Sequence, residues 1–153
     1  FENVDLYLNA ADVVSELSAA AKKRGVTINL TGQRTIISGV PRLVHELIYN
    51  LCDNAIRYNK ENGSVDISVS ASEDGARLVV SDTGIGIPIE HQDRVFERFY
   101  RVDKSHSKET GGTGLGLSIV KHAAEDLGAK LTLKSEPGQG TEIGVTFKSG
   151  ENR

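Results

Sequence analysis

Glu46, Asn50 and Asn54 follow one another at four-residue steps within the run Leu43 to Tyr58, so on a helix a carboxylate and two amides stack along one face, with Arg57 and Tyr58 just beyond. Such a row points at something polar. Asn favours caps and turns over helix interiors, so two of them here break a local rule, as functional sites do. The neutral amide oxygen of Asn50 suits a Mg²⁺ ion already satisfied mostly by phosphates and water. Arg57, Arg101 and Lys104 have the charge to neutralise phosphate, and Tyr58 or Tyr100 has the ring to stack on a base. Glu46 is placed either to activate a nucleophile or to orient water near the metal, or it stands outside the reacting atoms. Taken alone, the same pattern also describes a solvated helix face.

Two glycine-rich stretches add to it. Asp82-Thr83-Gly84-Ile85-Gly86-Ile87-Pro88 places a carboxylate at a strand end and then lets backbone approach closely, which suits an acceptor for an exocyclic amine such as that of adenine. Gly111-Gly112-Thr113-Gly114-Leu115-Gly116-Leu117-Ser118 runs straight into a helix, so bare N–H groups and a helix N-terminus converge where an anion would sit. A flexible linker is the plainer reading of that string. It lacks the G-x-x-x-x-G-K-[ST] pattern, and no strand precedes it as a dinucleotide fold requires.

The elements that must hold these residues follow from periodicity. Val4, Leu6 and Leu8 alternate as a short strand over residues 1–8, and Ala10, Val13, Val14, Leu17 and Ala21 mark a helix of about four turns, ended at Gly25. Val26, Ile28 and Leu30 alternate, as do residues around Ile36 and Ile37, and the intervening Thr31-Gly32-Gln33 predicts a hairpin. Pro41 opens the central helix behind Val40, a poor cap. Strands over Val65–Ala71 and Ala76–Asp82 form a second hairpin, and Leu131–Leu133 with Ile143–Phe147 form the last. Between them lie a helical fragment over Ile89–Arg101 carrying Val95, Phe96 and Phe99, a patternless tract over Asp103–Thr113, and a helix over Ser118–Leu127. The last six residues read as frayed. Hairpins predominate, which predicts an α/β (α+β) two-layer sandwich: a mixed, largely antiparallel sheet with helices on one face.

With 153 residues, 38% hydrophobic and 25% charged, the chain is long enough for one domain with its own core. A net charge of −3 argues against a nucleic-acid surface. The single cysteine, Cys52, excludes an internal disulfide and reads as a small buried hydrophobe. No apolar run reaches the roughly 20 residues of a membrane span, so no membrane contact is expected of this domain. The absence of Met, including at position 1, predicts a piece of a longer protein.

Together the motifs resemble the ATP-binding catalytic domain of bacterial sensor histidine kinases, within the superfamily that includes the gyrase, heat-shock-ninety and MutL ATPases. Glu46 to Tyr58 looks like the N box, Asp82 to Gly86 the first glycine box, Phe96-Glu97-Arg98-Phe99-Tyr100-Arg101 the F box and Gly112 to Leu117 the second glycine box. Gly138-Gln139-Gly140-Thr141 is similar to the third. The resemblance spans about residues 4–148. It implies ATP and Mg²⁺ as cofactors, with Asn50 on the metal, Asn54, Arg57 and Lys104 near the phosphates, and Asp82 on the adenine amine with help from Thr141. Tyr58 would line the base, with Gly84, Gly86 and Ile87 beside it. Residues 96–116, within a flexible lid of about 88–116 that carries Tyr100, Arg101, Gly112, Thr113, Gly114, Leu115 and Gly116, would close over the nucleotide, with Leu117 just beyond also at the ATP. Glu46 would be the acid nearest the reacting phosphate. The implied activity is transfer of the γ-phosphoryl group to a histidine on a separate dimerisation domain, which this chain lacks, with a response regulator served indirectly. The implied setting is the cytoplasmic side of a membrane-anchored parent, with the isolated domain a monomer. Two other readings stay open: a superfamily ATPase with a conformational cycle, and a degenerate nucleotide-sensing module.

Overall fold

A computed structural model describes residues 1–73, 75–97 and 116–150. Strand β1 (Glu2–Asp5) passes directly into helix α1 (Leu6–Lys23) because Asp5 caps it, its Oδ1 accepting the Leu8 N–H at 3.2 Å. The strand expected over residues 1–8 therefore stops at Asp5. Leu6 and Leu8 are helical, the first buried and the second turned to solvent. Leu6, Ala10, Val13, Leu17 and Ala21 make the buried stripe, over about five turns rather than four. Gly25, at a φ of 71°, closes the helix: its N–H donates to the Lys22 carbonyl, and the Val26 N–H to that of Ala21.

Strand β2 (Thr27–Gly32) and strand β3 (Ile36–Gly39) do not form the expected hairpin. β2 instead pairs in parallel with β4 (Ser64–Ser72), Ile28 opposite Val65 and Leu30 opposite Ile67, with Gly32 so close to the Val69 carbonyl that a side chain would not fit. β3 pairs with β1, Val4 opposite Ile37, in a separate two-stranded sheet. A parallel partner needs a crossover, and helix α2 (Pro41–Arg57) provides it. Beyond β4, β5 (Gly75–Asp82), β7 (Gly140–Phe147) and β6 (Lys130–Glu136) follow antiparallel, so the sheet order is β2-β4-β5-β7-β6. The tail is not frayed through residue 150: the Ser38 N–H donates to the Lys148 carbonyl and the Gly150 N–H to that of Ile36.

Helix α3 (Gly116–Leu127) ends at Gly128 with the same pattern of bonds as α1. α2 lies between α1 and α3 and covers the sheet, so the fold is the two-layer sandwich that the hairpins predict. Val44, Leu47, Ile48, Leu51, Cys52, Ala55 and Ile56 of α2 meet Val65, Ile67, Leu78, Val80 and Val145 of the strands in one core. Each large side chain buried there contributes about 1.5–3 kcal/mol. Burial, and secondarily the charge of Asp53, pushes the Cys52 thiol up to about 12. No helix among the described residues is long and apolar enough to cross a membrane.

The expected helix over Ile89–Arg101 is, where described, a single 3₁₀ turn at Ile89–His91 followed by further three-residue closures, Arg94 N–H to the His91 carbonyl and Glu97 N–H to that of Arg94. Val95 among them is buried. On the sheet face away from the helices, Arg77 lies across β7, donating to Thr146 Oγ1 at 3.3 Å and Thr132 Oγ1 at 3.2 Å. Its guanidinium and Thr132 Oγ1 together fill the space where a Cβ on Gly144 would stand. The guanidinium is the end of a flexible side chain, but the Thr132 hydroxyl sits on a short β-branched one, so Gly144→Ala should cost about 1–3 kcal/mol in urea unfolding. No measurable loss would show that both side chains give way freely.

Candidate functional site

The polar row of α2 is present, but its members are not equally available. Glu46 is part exposed and paired with Arg42 at 3.2 Å, an exposed ion pair of small worth. Asn50 is fixed by its Nδ2, which donates to the Glu46 carbonyl at 2.7 Å. Its Oδ1 is thereby directed away from the helix, 3.8 Å from the place of a Cβ on Gly116. The amide oxygen of Asn50 on α2 thus lies close to the first residue of α3. Asn54 is half-buried one turn on, and Arg57 is paired with Asp53 at 2.9 Å, so much of its charge is already compensated. Leu117 is half-buried against the core.

Asp82 ends β5 opposite Thr141. Its Oδ1 accepts two backbone N–H groups, from Gly84 at 2.8 Å and Thr141 at 3.2 Å, which shape the loop and dock it on β7. The second oxygen, Oδ2, makes no hydrogen bond among the described residues. Burial raises the carboxyl above its ordinary range, and the two N–H donors only partly oppose that shift. One oxygen therefore builds the loop, and the other is left to meet a donor from outside.

The glycines of this loop answer to packing. A Cβ on Gly84 would strike the Tyr58 carbonyl at the end of α2, and one on Gly86, whose φ is 74°, would strike the Glu136 carbonyl of β6. The loop is clamped between them, with the Ile85 N–H donating to the Tyr58 carbonyl and the Gly138 N–H to the Ile85 carbonyl. Ile87 is nearly buried, and its N–H donates to Ser135 Oγ at 2.7 Å.

Sequence reasoning missed the side chains that make this clamp. Ser135 Oγ also lies 3.1 Å from the Gly140 carbonyl and 2.9 Å from Thr141 Oγ1, while Gln92 Nε2 donates to the carbonyls of Ile87 and Ser135. On the other flank, Thr83 Oγ1 donates to Asn59 Oδ1 and accepts the Ser64 N–H, and Asn59 Nδ2 donates to the Ser64 carbonyl. These partners sit 5 to 48 residues apart, and no local pattern links the distant ones. Only Thr83 and Thr141, inside the first and third glycine boxes, carried a signal.

The structure brings Asp82, Gly84, Gly86, Ile87, Tyr58 and Thr141 together at one end of the sheet, and Asn50 with Gly116 between two helices. Tyr100, Arg101, Lys104, Gly112, Thr113, Gly114 and Leu115 lie outside the described residues, as does most of the expected lid.

The model of the histidine kinase-, DNA gyrase B- and HSP90-like ATPase family matches residues 39–151, from the entry to α2 through the clamp and past β7. The chain belongs to this ATPase family. Among relatives of this ATPase domain, the sensor histidine kinase YkoH of Bacillus subtilis (strain 168) is 36% identical over 146 residues, covering 95% of this chain and 32% of YkoH. The mycobacterial sensor histidine kinase MprB superposes with a TM-score of 0.81 at 26% identity, covering 97% of each chain. Full-length ShkA in complex with AMPPNP superposes with a TM-score of 0.80 at 27% identity, over 97% of this chain and 31% of ShkA. The ATPase domain thus spans about a third of the length of YkoH, and it corresponds to the ATP-binding catalytic domain of sensor histidine kinases.

Proposed function

We propose that this domain binds Mg²⁺-ATP and passes the γ-phosphoryl group to a histidine on a separate dimerisation domain of its parent, at the head of a two-component relay. The division of labour at Asp82 carries the reading: one carboxylate oxygen is spent on Gly84 and Thr141, and the other is left for the adenine amine. Thr141 stands beside it on the paired strand, with Tyr58 at the base end. At the phosphate end stand Asn50, Asn54, Arg57 and the first turn of α3. Asn50 Oδ1 fits Mg²⁺, because its amide nitrogen is already committed and a hard cation accepts a neutral oxygen. Among the described residues no group of three or more His, Cys, Asp or Glu could cage a metal, so the remaining ligands would be phosphate oxygens and water. Bound there, the ion would neutralise phosphate charge.

Glu46 takes the place of the acid nearest the reacting phosphate, and reaching it requires leaving Arg42. In the transfer, a histidine ring nitrogen bonds to the γ-phosphorus as its bond to the ADP oxygen breaks. Such chemistry depends mostly on placement and charge stabilisation, which the dimerisation domain must complete. The parent reads as a membrane-anchored sensor with this domain on the cytoplasmic side. The resemblance to ShkA, which was solved with AMPPNP, supports the nucleotide reading.

Calorimetric titration of ATP with and without Mg²⁺, against GTP, tests it. Selective ATP binding, tightened by Mg²⁺ and followed by little hydrolysis, is the expected result, with phosphotransfer once a histidine-bearing dimerisation domain is added. Asn50→Ala should abolish the tightening by Mg²⁺, a loss of roughly tenfold, while ATP binding without metal stays nearly unchanged. Equal binding of GTP, or fast turnover by the domain alone, would sink the reading.

A further inference from the structure

Ser135 holds three contacts with one hydroxyl hydrogen. The Ile87 N–H can only donate to it and the Gly140 carbonyl can only accept, so all three contacts are hydrogen bonds only if Ser135 donates to Gly140 and Thr141 donates to Ser135. Thr141 Oγ1, its hydrogen spent, then offers lone pairs alone. Thr141 is the strand partner of Asp82, so both side chains project from the same sheet face as neighbours. Two acceptors stand side by side, Thr141 Oγ1 and Asp82 Oδ2.

We infer that Ser135 is a specificity-positioning residue: by taking the Thr141 hydroxyl hydrogen it turns Thr141 into an acceptor beside Asp82, so that the pair selects a purine carrying an exocyclic amine over one carrying an oxo group. Ser135 touches no ligand in this arrangement and acts through Thr141. This inference rests on the nucleotide reading above and deepens it. Ile87, through its N–H, and Gln92, through the Ser135 carbonyl, hold Ser135 in register from the loop side. The Gly140 carbonyl holds it from the turn.

The test is the ratio of ITP to ATP dissociation constants, measured by calorimetry on the 153-residue chain, because inosine replaces the amine with an oxo group. Ser135→Ala frees the Thr141 hydrogen, which can then donate toward the oxo group, and should lower that ratio roughly five- to tenfold. Ser135→Thr keeps the hydroxyl and should restore it. In a Thr141→Val background, Ser135→Ala should leave the ratio unchanged, since the relay is already broken. Should Ser135→Ala not fold, Ser135→Cys keeps the shape with a weak hydrogen-bonding group and should lower the ratio in the same sense. Equal loss of ATP and ITP affinity, or an unchanged ratio in a folded variant, overturns the inference and leaves Ser135 a structural clamp. A wild-type chain that fails to bind ATP would instead sink the nucleotide reading itself.

Discussion

Asp82→Asn should lower ATP affinity by roughly 10- to 100-fold while the domain stays folded. Asn keeps an oxygen for the Gly84 and Thr141 N–H groups, so the loop retains its anchor. The other oxygen becomes an amide nitrogen, which donates toward a ligand amine that also donates. A charge-assisted hydrogen bond worth about 1.5–3 kcal/mol is thereby lost and a repulsion gained. The pH dependence runs the same way. With the folded carboxyl raised by burial, ATP binding should fall off on acidification at a pH above the ordinary carboxylate range, and the variant should lose that limb.

Stability responds in the opposite direction. Between the unfolded pKa and the raised folded one, the native state holds a proton that the unfolded chain has released, so the contribution of Asp82 is fully present below its unfolded pKa and is lost as pH rises through the raised folded value. Urea unfolding of the two proteins across that window should therefore show Asp82→Asn gaining relative to wild type as pH rises. Calorimetry showing undiminished ATP affinity in the folded variant would remove Asp82 from base reading.

Gly140→Ala should be among the most damaging small substitutions at the described glycines, with Gly75 similarly confined, costing about 3 kcal/mol or more. At a φ of 132° the residue occupies a region that side chains rarely enter, and its Cβ would strike the Asp82 carbonyl. Nothing there can give, because the obstacle is the backbone of the neighbouring strand at the base-reading end. Gly138, two residues away in the same turn, is the internal control. Its φ of 79° is also positive, but no atom lies within 4 Å of its Cβ position. Ala there should cost only about 1 kcal/mol. Urea midpoints for the pair separate steric from conformational cost, and equal losses would contradict the packing argument.

Among the described residues, the sequence made the three helices, the seven strands and the loop after Asp82 legible because each rests on short-range periodicity or turn chemistry. Val44, Leu47, Ile48, Leu51 and Ala55 repeat within their own helix, and Leu78, Val80 and Asp82 alternate within their own strand. What failed depends on partners chosen at a distance. Ile28 and Leu30 alternate equally well beside β3 or beside β4, and only the assembled sheet decides for β4. Leu6 and Leu8 alternate like strand residues, although the Asp5 carboxylate starts a helix at Leu6. Ser135 and Gln92 look like ordinary surface residues until the loop folds onto β6. Lys148–Gly150 likewise acquires order only from β3.

The burial of Cys52 has a practical side. A thiol pushed up to about 12 stays protonated at every pH the protein will meet, and its sulfur is covered by α2 and the sheet, so alkylating reagents and oxidants find no thiolate to attack. It is also the only cysteine in the chain. The domain therefore comes already blank for site-directed labelling: one cysteine placed on an exposed position such as Ser70 would be the single reactive handle for a fluorophore or spin label. Distances and rates could be read from that one reporter, with the native sulfur left in place to fill the core.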